Sequence, residues 1–159
     1  MRALLLLLLL CGSALADDEP FAIDEYEFEW KVASFDESKV SIVKTEETTR
    51  VLISKPYDSF DMASADAKAV GTVLLTTPSY FKKLDSAAEA SEVVEAGGCE
   101  VNFSKREGRF YVSILRSGIS SGVISLDRKQ ATSIAPYLIK SPQMIAYFDK
   151  IIDGVLAAK

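Results

Sequence analysis

The sequence has no histidine, and it has only two cysteines, Cys11 and Cys99. A chain without imidazole lacks the most common general base near neutral pH and the most common metal ligand in proteins. This absence excludes Ser-His-Asp and Cys-His machinery, and it leaves too few ligands for a zinc site. We therefore predict no catalytic, cofactor-binding or metal-binding residues, and we interpret the protein as a non-enzyme.

The sequence also lacks an apolar run long enough to cross a membrane, which takes about 20 residues. Its longest apolar run, Ala3 to Cys11, precedes the small-residue triplet Ala14-Leu15-Ala16. This order is typical of a secretory signal peptide, here residues 1–16, with cleavage after Ala16. Lipidation at Cys11 is the less favoured alternative, because Leu10 stands where a small residue is usual. We expect a secreted or periplasmic protein with no transmembrane segment in the mature chain.

Positive charge is scarce relative to negative charge. The chain has 18 basic and 23 acidic residues, a net charge of −5, and loss of Arg2 with the signal peptide makes this −6. Sequence-independent binding to phosphates depends on many cationic contacts. Because no dense stripe of lysine and arginine is present, we predict no nucleic-acid partner. A protein partner or a second copy of the chain is expected instead.

Removal of the signal peptide leaves Cys99 as the only cysteine, so an internal disulfide is excluded and the fold must rely on its core. Free cysteine is among the most buried residue types, which favours a small buried side chain at the start of a strand. An unpaired cysteine in a secreted protein also permits a reactive thiol or an intermolecular bridge. Both interpretations of Cys99 stay open.

Residues 17–25 are predicted to be an acidic, extended lead-in to a single domain spanning residues 26–159. From Tyr26 to Val32, apolar side chains alternate with charged ones, which predicts a half-buried strand. The pattern then predicts strands at Val40–Lys44, Thr49–Ser54 and Phe60–Met62, a helix from Ser64, and a second helix from Thr77-Pro78 to the stop at Gly97-Gly98.

The same order of elements returns in the second half. Strands are predicted around Val101–Phe103, Phe110–Ile114 and Val123–Leu126, with a hairpin turn at Glu107-Gly108, a helix capped by Asp127, and a break at Ser141-Pro142. The last helix is predicted to place Met144, Phe148, Ile151, Ile152 and Val155 in one apolar stripe of the core.

The joint from Ile124-Ser125-Leu126 through an acidic cap into a helix is similar to the sheet-to-helix joint of Whirly-type single-strand-binding proteins. The similarity covers this strand and helix alone. Because the acidic charge and the secretion signal conflict with binding to nucleic acid, no function is carried over from it.

Residues of the two halves match at a spacing of 64. The matched pairs are Met62/Leu126, Ala67/Ala131, Val70/Ile134, Gly71/Ala135, Leu74/Leu138, Leu75/Ile139, Pro78/Pro142 and Leu84/Phe148. We predict an α+β fold in which an antiparallel sheet of about six or seven strands carries helices on one face. It is built from two β-β-β-α-α repeats, over about 37–98 and 99–159, with the Tyr26 strand added in front.

A cluster of cations flanks the second hairpin turn, where it suits an anionic partner or a glycan. The adjoining strand is expected to place Tyr111 and Leu115, together with Leu52 and Val43, on a second sheet face that is more apolar than a solvated face needs to be. The predicted partner-binding residues are Lys105, Arg106, Arg109, Tyr111 and Leu115.

We therefore predict a secreted or periplasmic, non-catalytic binding protein that recognises a protein partner or associates with itself through that face or an edge strand. The alternative is a carrier of a small molecule or lipid in a pocket between sheet and helices.

Overall fold

The computed structural model describes residues 26–118 and 122–156, and these form eight strands and three helices. The first four strands are β1 (Glu27–Phe35), β2 (Ser38–Thr45), β3 (Thr49–Ser54) and β4 (Ser59–Met62). The next four are β5 (Ala90–Ala96), β6 (Cys99–Arg106), β7 (Arg109–Arg116) and β8 (Val123–Leu126). Helices α1 (Ser64–Leu74) and α2 (Thr77–Leu84) lie between β4 and β5, and α3 (Arg128–Leu156) follows β8.

The strands form two separate antiparallel sheets, ordered β1-β2-β3-β4 and β5-β6-β7-β8. The predicted α+β class is confirmed, but the predicted single sheet of six or seven strands is wrong. The last strands of the two sheets meet through side chains instead of a backbone ladder. Lys55 Nζ donates to the carbonyl oxygen of Ser125 on β8, and Arg116 Nη2 donates to that of Asp61 on β4, each at 2.9 Å. These cations hydrogen-bond to carbonyl oxygens at the sheet edges, which would otherwise be free to pair with a further strand.

Strand β5 replaces the second part of a predicted helix. Helix α2 ends at Leu84, and the residues before Gly97-Gly98 form a strand instead of continuing the helix to that stop. Ala96 pairs with Cys99 across a two-residue turn, and Gly97 has φ +65°, a conformation that glycine adopts without strain. Each sheet therefore has four strands, and β1 is one of four rather than an addition in front.

Helix α3 begins as predicted. The Asp127 carboxylate accepts a hydrogen bond from the amide of Gln130 at 2.7 Å, and the Gln130 side-chain oxygen accepts one from the amide of Asp127 at 3.1 Å. This reciprocal pair is a capping box, which satisfies two amides that a helix end leaves open.

The predicted break at Ser141-Pro142 is wrong, because α3 continues through Pro142. Proline has no amide hydrogen, so the carbonyl of Leu138 loses its helical partner. The buried Ser141 hydroxyl donates to that carbonyl at 2.7 Å and replaces the missing bond. In the first half, Thr77 donates to the carbonyl of Leu74 at 2.6 Å in the same way, although there the helix is interrupted between α1 and α2.

The inner faces of both sheets and the three helices enclose one core. Its largest fully buried side chains include Ile42, Ile53, Leu74, Phe81, Phe103, Ile114, Ile124, Leu126, Ile134 and Leu138. Helices α1 and α3 approach closely at Gly71, where an added Cβ would lie 2.9 Å from the carbonyl oxygen of Ala135 and the amide nitrogen of Ile139. A side chain at Gly71 would therefore push the two helices apart.

Helix α2 packs against the second sheet, and the C-terminal part of α3 packs against the first. Lys105, on β6, donates to the backbone carbonyl of Asp85, just after α2, at 2.7 Å. Lys44, on β2, forms an ion pair with Asp149 on α3. Lys44 and Lys105 each occupy the second-last position of their strand, and Asp85 and Asp149 are 64 positions apart.

The C-terminal part of α3 lies only partly in the core. Phe148 stacks on Trp30 of β1 with ring centroids 4.5 Å apart, and Ile152 is buried. The predicted stripe does not all join the core, because Ile151 is 43% exposed and Val155 is 65% exposed. In this C-terminal part, only the side of α3 that faces β1 and β2 is covered by the fold. Within residues 26–118 and 122–156, none of the helices combines the length and the hydropathy that a membrane span requires.

Candidate ligand-binding surface

Lys105 does not lie at the loop tip with the other cations. It shares the inner face of β6 with Val101 and Phe103, and its side chain is only 12% exposed. Besides the carbonyl of Asp85, its ammonium contacts the Asp85 carboxylate at 3.2 Å and lies 5.4 Å from the centre of the Phe110 ring. Lys105 therefore holds α2 to the second sheet instead of facing solvent.

Arg106 and Arg109 are exposed on either side of the β6–β7 turn, as predicted for a loop tip. The start of α3 adds two cations beside them. Arg109, Arg128 and Lys129 line one open depression of about 490 Å³, together with Phe110, Tyr111 and Asp127. We call Arg106, Arg109, Arg128 and Lys129 the cationic end.

Acidic side chains offset part of the charge of the cationic end, since Asp127 lines the same depression and Glu107 lies in the β6–β7 turn. Within the described residues Lys129 pairs with Asp36 at 3.1 Å, while Arg106, Arg109 and Arg128 form no ion pair. Arg128 and Lys129 are the first residues of α3, where the helix dipole already places positive charge. Cations there cost a helix roughly 0.3–1 kcal/mol each, so the fold alone does not favour them.

A second depression, of about 400 Å³, lies on the outer face of the second sheet next to the cationic end. Asn102, Ser113 and Ser125 form one row across β6, β7 and β8, and Ser104 and Tyr111 form the next. Arg106 and Glu107 stand at its rim. We call the five row residues the hydroxyl groove.

Tyr111 is the one predicted residue that borders both depressions. It is 36% exposed, which leaves part of its ring available for contact. Leu115 is half-buried four positions further along β7, about 13 Å away at the usual rise of a strand, and it pairs with Glu100 and Val123.

The predicted apolar face is not one surface. Tyr111 and Leu115 lie on the outer face of the second sheet, whereas Val43 and Leu52 are half-buried on the outer face of the first. The separation follows from the two-sheet architecture, because residues of different sheets do not share a face.

Cys99 is buried at the start of β6. Burial raises the pKa of its thiol, the negative charge of Asp66 raises it further, and Arg116 opposes them. A thiol with a raised pKa holds less of the nucleophilic thiolate at neutral pH.

Sequence reasoning included Tyr111 among its site residues, but not Arg128, Lys129 or the other four residues of the hydroxyl groove. The groove had a signal, because Asn102 and Ser104 alternate with apolar residues that face the core. The same alternation places Lys105 on the inner face with Phe103. The approach of Arg128 to Arg109 had no local signal, since it depends on how α3 leaves β8.

The described residues contain no group of three or more acidic or thiol side chains placed to hold a metal ion. No protein-family model matches the chain, and no curated protein shows significant similarity to it.

Proposed function

We propose that the protein is a non-catalytic, secreted or periplasmic binding protein that holds an anionic partner at the cationic end. The observation that carries this proposal is the gathering of Arg109, Arg128 and Lys129 around one depression in a chain of net negative charge. Guanidinium groups recognise carboxylate, sulfate or phosphate through paired hydrogen bonds. The signal-peptide pattern of residues 1–16 supports the compartment.

We also propose that the fold consists of two copies of one unit, four strands followed by helix. Three kinds of contact recur between the halves and support this. They are the hydroxyl bonds of Thr77 and Ser141 before a proline, the ion pairs Lys105–Asp85 and Lys44–Asp149, and the cross-sheet bonds from Lys55 and Arg116 to edge carbonyls. Two unrelated segments would not be expected to form the same hydrogen bonds and ion pairs at corresponding positions.

The cationic end has no counterpart in the first half. Where α3 begins with Arg128 and Lys129, the corresponding residues at the start of α1 are Ser64 and Ala65. The β2–β3 turn carries Glu46 and Glu47 and no cation. Because one half folds without these cations, they are best explained by binding.

A cation exchanger at pH 7 and low salt tests this proposal. A protein of net charge −6 is retained there only if a local cationic patch faces the resin. We expect the mature protein to be retained and the double variant Arg109→Glu/Arg128→Glu to pass through. The control, Lys68→Glu/Lys150→Glu, makes the same change in net charge at exposed lysines elsewhere and should still be retained. Equal elution of the native protein and the arginine variant would refute the proposal.

Self-association is a second candidate function, supported by the α3 flank, which we define as Tyr147, Ile151 and Val155. These residues recur every four positions and are all exposed. Two copies that pair along this flank would cover them. We expect Ile151→Lys to shift sedimentation equilibrium toward monomer, while Lys150→Gln next to it should not. A native protein that stays monomeric at high concentration would exclude this candidate.

The carrier alternative has less support. Inward-facing side chains at the centre of both sheets, such as Ile53, Phe103 and Ile114, are fully buried in the core shared with the helices, which leaves little space there for a carried ligand. Detection of a co-purified ligand by native mass spectrometry would support the carrier alternative.

A further inference from the structure

We propose that the hydroxyl groove is a saccharide subsite, so that the anionic partner held at the cationic end is an acidic glycan. This inference rests on the proposed function and adds the chemical class of the ligand. The two depressions share Tyr111, so one ligand can contact both.

The floor of the groove carries hydroxyl and amide groups. Ser113 and Ser125 share a hydrogen bond of 3.2 Å between their hydroxyls, and either oxygen can donate. A hydroxyl can donate one hydrogen bond and accept others, which matches the mixed donor and acceptor character of sugar hydroxyls. A simple anion offers acceptors only, so it would use the donors of this floor and leave its acceptors without a partner.

Asn102 adds an amide whose oxygen accepts no hydrogen bond from the described residues. Its Oδ1 atom is buried and has no hydrogen-bond partner within the described part of the chain. Leaving such an acceptor unpaired is unfavourable, and rotation of the amide toward the groove would break no bond at this atom. Asn102 is thus able to turn toward a ligand hydroxyl.

The location of the groove argues against an extended acidic peptide. Peptides that bind sheets commonly add a strand to an edge and use its free backbone groups. The groove is centred on β6 and β7, and each of these strands is paired on both sides. It therefore offers side chains only, which suits a saccharide better than a peptide backbone.

Tyr111 and Arg106 supply the remaining contacts. The half-exposed ring of Tyr111 offers an apolar surface for the C–H face of a sugar ring, beside a hydroxyl that can hydrogen-bond. Arg106 stands at the rim, where its guanidinium is placed to pair with an acidic substituent on the sugar. The volume of about 400 Å³ lies within the range of small-molecule sites.

Isothermal titration with three probes tests the inference. The first is a set of acidic tetrasaccharides made of galacturonate, of mannuronate and of the hyaluronan repeat. The second is the neutral sugar maltotetraose, and the third is a tetraglutamate peptide. We expect at least one acidic tetrasaccharide to bind about tenfold or more tightly than both other probes, since it alone can use the hydroxyls and the cations together.

Variants assign that binding to the groove. Tyr111→Ala and Asn102→Ala should each weaken binding of the acidic tetrasaccharide about tenfold, as expected for central contacts of a site. Tyr57→Ala is the matched control, because Tyr57 is 98% exposed on the β3–β4 turn and lines neither depression, and it should change nothing. Unchanged binding by Tyr111→Ala and Asn102→Ala would overturn the saccharide inference.

The failures of the two proposals are distinguishable. Tetraglutamate binding as tightly as the best tetrasaccharide, and lost in Arg109→Glu/Arg128→Glu, would overturn the saccharide inference and leave the anion site standing. If the Kd of every anionic probe is above about 10 mM and the native protein also passes through the cation exchanger, both proposals are wrong.

Discussion

Lys44 and Asp149 form an ion pair between the second strand and the C-terminal part of α3, 105 residues apart in the chain. The corresponding pair, Lys105 and Asp85, joins the second sheet to the helix of the first half. These two contacts fasten α3 to the first sheet and α2 to the second.

The Lys44 pair predicts a loss of stability at alkaline pH. The hydrogen bond with Asp149 raises the pKa of Lys44 above its usual 10.5, against the opposing effect of burial. The pair therefore stabilises the fold fully below about pH 10.5, and this contribution is lost as pH rises through the higher pKa of the folded state. Lys44→Met should be less stable than the native protein by about 0.5–1 kcal/mol at pH 7, and the difference should shrink above about pH 10.5.

Urea denaturation at pH 7, 9 and 11.5 measures this difference. Lys68→Met, at an exposed lysine of α1, controls for the titration of other groups and should follow the native protein at every pH. A gap between native protein and Lys44→Met that stays constant across the series would contradict the role given to the pair.

The Ser141 hydroxyl is predicted to substitute for the amide that Pro142 lacks. Ser141→Ala leaves the buried carbonyl of Leu138 without a partner, at a cost of about 1–3 kcal/mol. Adding Pro142→Ala restores an amide hydrogen to that carbonyl, so the double variant Ser141→Ala/Pro142→Ala should recover most of the loss. Thermal denaturation compares the three proteins.

Thr72→Ala is the control for Ser141→Ala. The Thr72 hydroxyl also donates to a helical carbonyl, that of Lys68 at 2.9 Å, but it is exposed and residue 72 keeps its own amide. The change should alter stability by no more than about 0.5 kcal/mol. A double variant no more stable than Ser141→Ala alone would show that the carbonyl of Leu138 was not the cause.

Gly71 is predicted to be required for the contact between α1 and α3. A Cβ at this position would lie 2.9 Å from backbone atoms of α3, so Gly71→Ala should cost about 1–3 kcal/mol through overpacking. The control is Gly154→Ala. Gly154 lies on α3 with open space around it, so this change should instead stabilise the fold by up to about 1 kcal/mol. Equal effects of the two changes in urea denaturation would refute the close approach.

Cys99 is predicted to be silent toward thiol reagents in the folded protein. Its burial limits access, and its raised pKa keeps the thiol protonated at neutral pH. Titration with a chromogenic disulfide should detect the thiol only after denaturant is added. Rapid reaction of the native protein would instead support the reactive thiol or the intermolecular bridge.

Local patterns were enough to predict the elements whose signals lie in their own residues. Alternation located β1 to β4 and β6 to β8, and the Asp127 cap located the start of α3. Strand β5 was missed because its alanine and glutamate residues also suit a helix, although Val93-Val94 before Gly97-Gly98 is a hairpin signal. The break at Pro142 was wrong because the compensating bond comes from the neighbouring Ser141 side chain.

The candidate site was less accessible to sequence reasoning than the strands. Arg106, Arg109 and Tyr111 stood out because they flank a turn or alternate along one strand. The division of the apolar face between two sheets, and the approach of Arg128 to Arg109, depend on tertiary arrangement. No spacing within a single element encodes either of them.

Chemical-shift mapping of the 15N-labelled mature protein with the best-binding acidic tetrasaccharide can locate the binding surface residue by residue. We predict saturable shifts at the amides of Asn102, Ser104, Arg106, Arg109 and Tyr111, and at Arg128 at the start of α3. Residues of the first sheet and the α3 flank should not shift. Shifts confined to the α3 flank, or spread evenly over exposed lysines, would contradict a binding surface at the cationic end and hydroxyl groove.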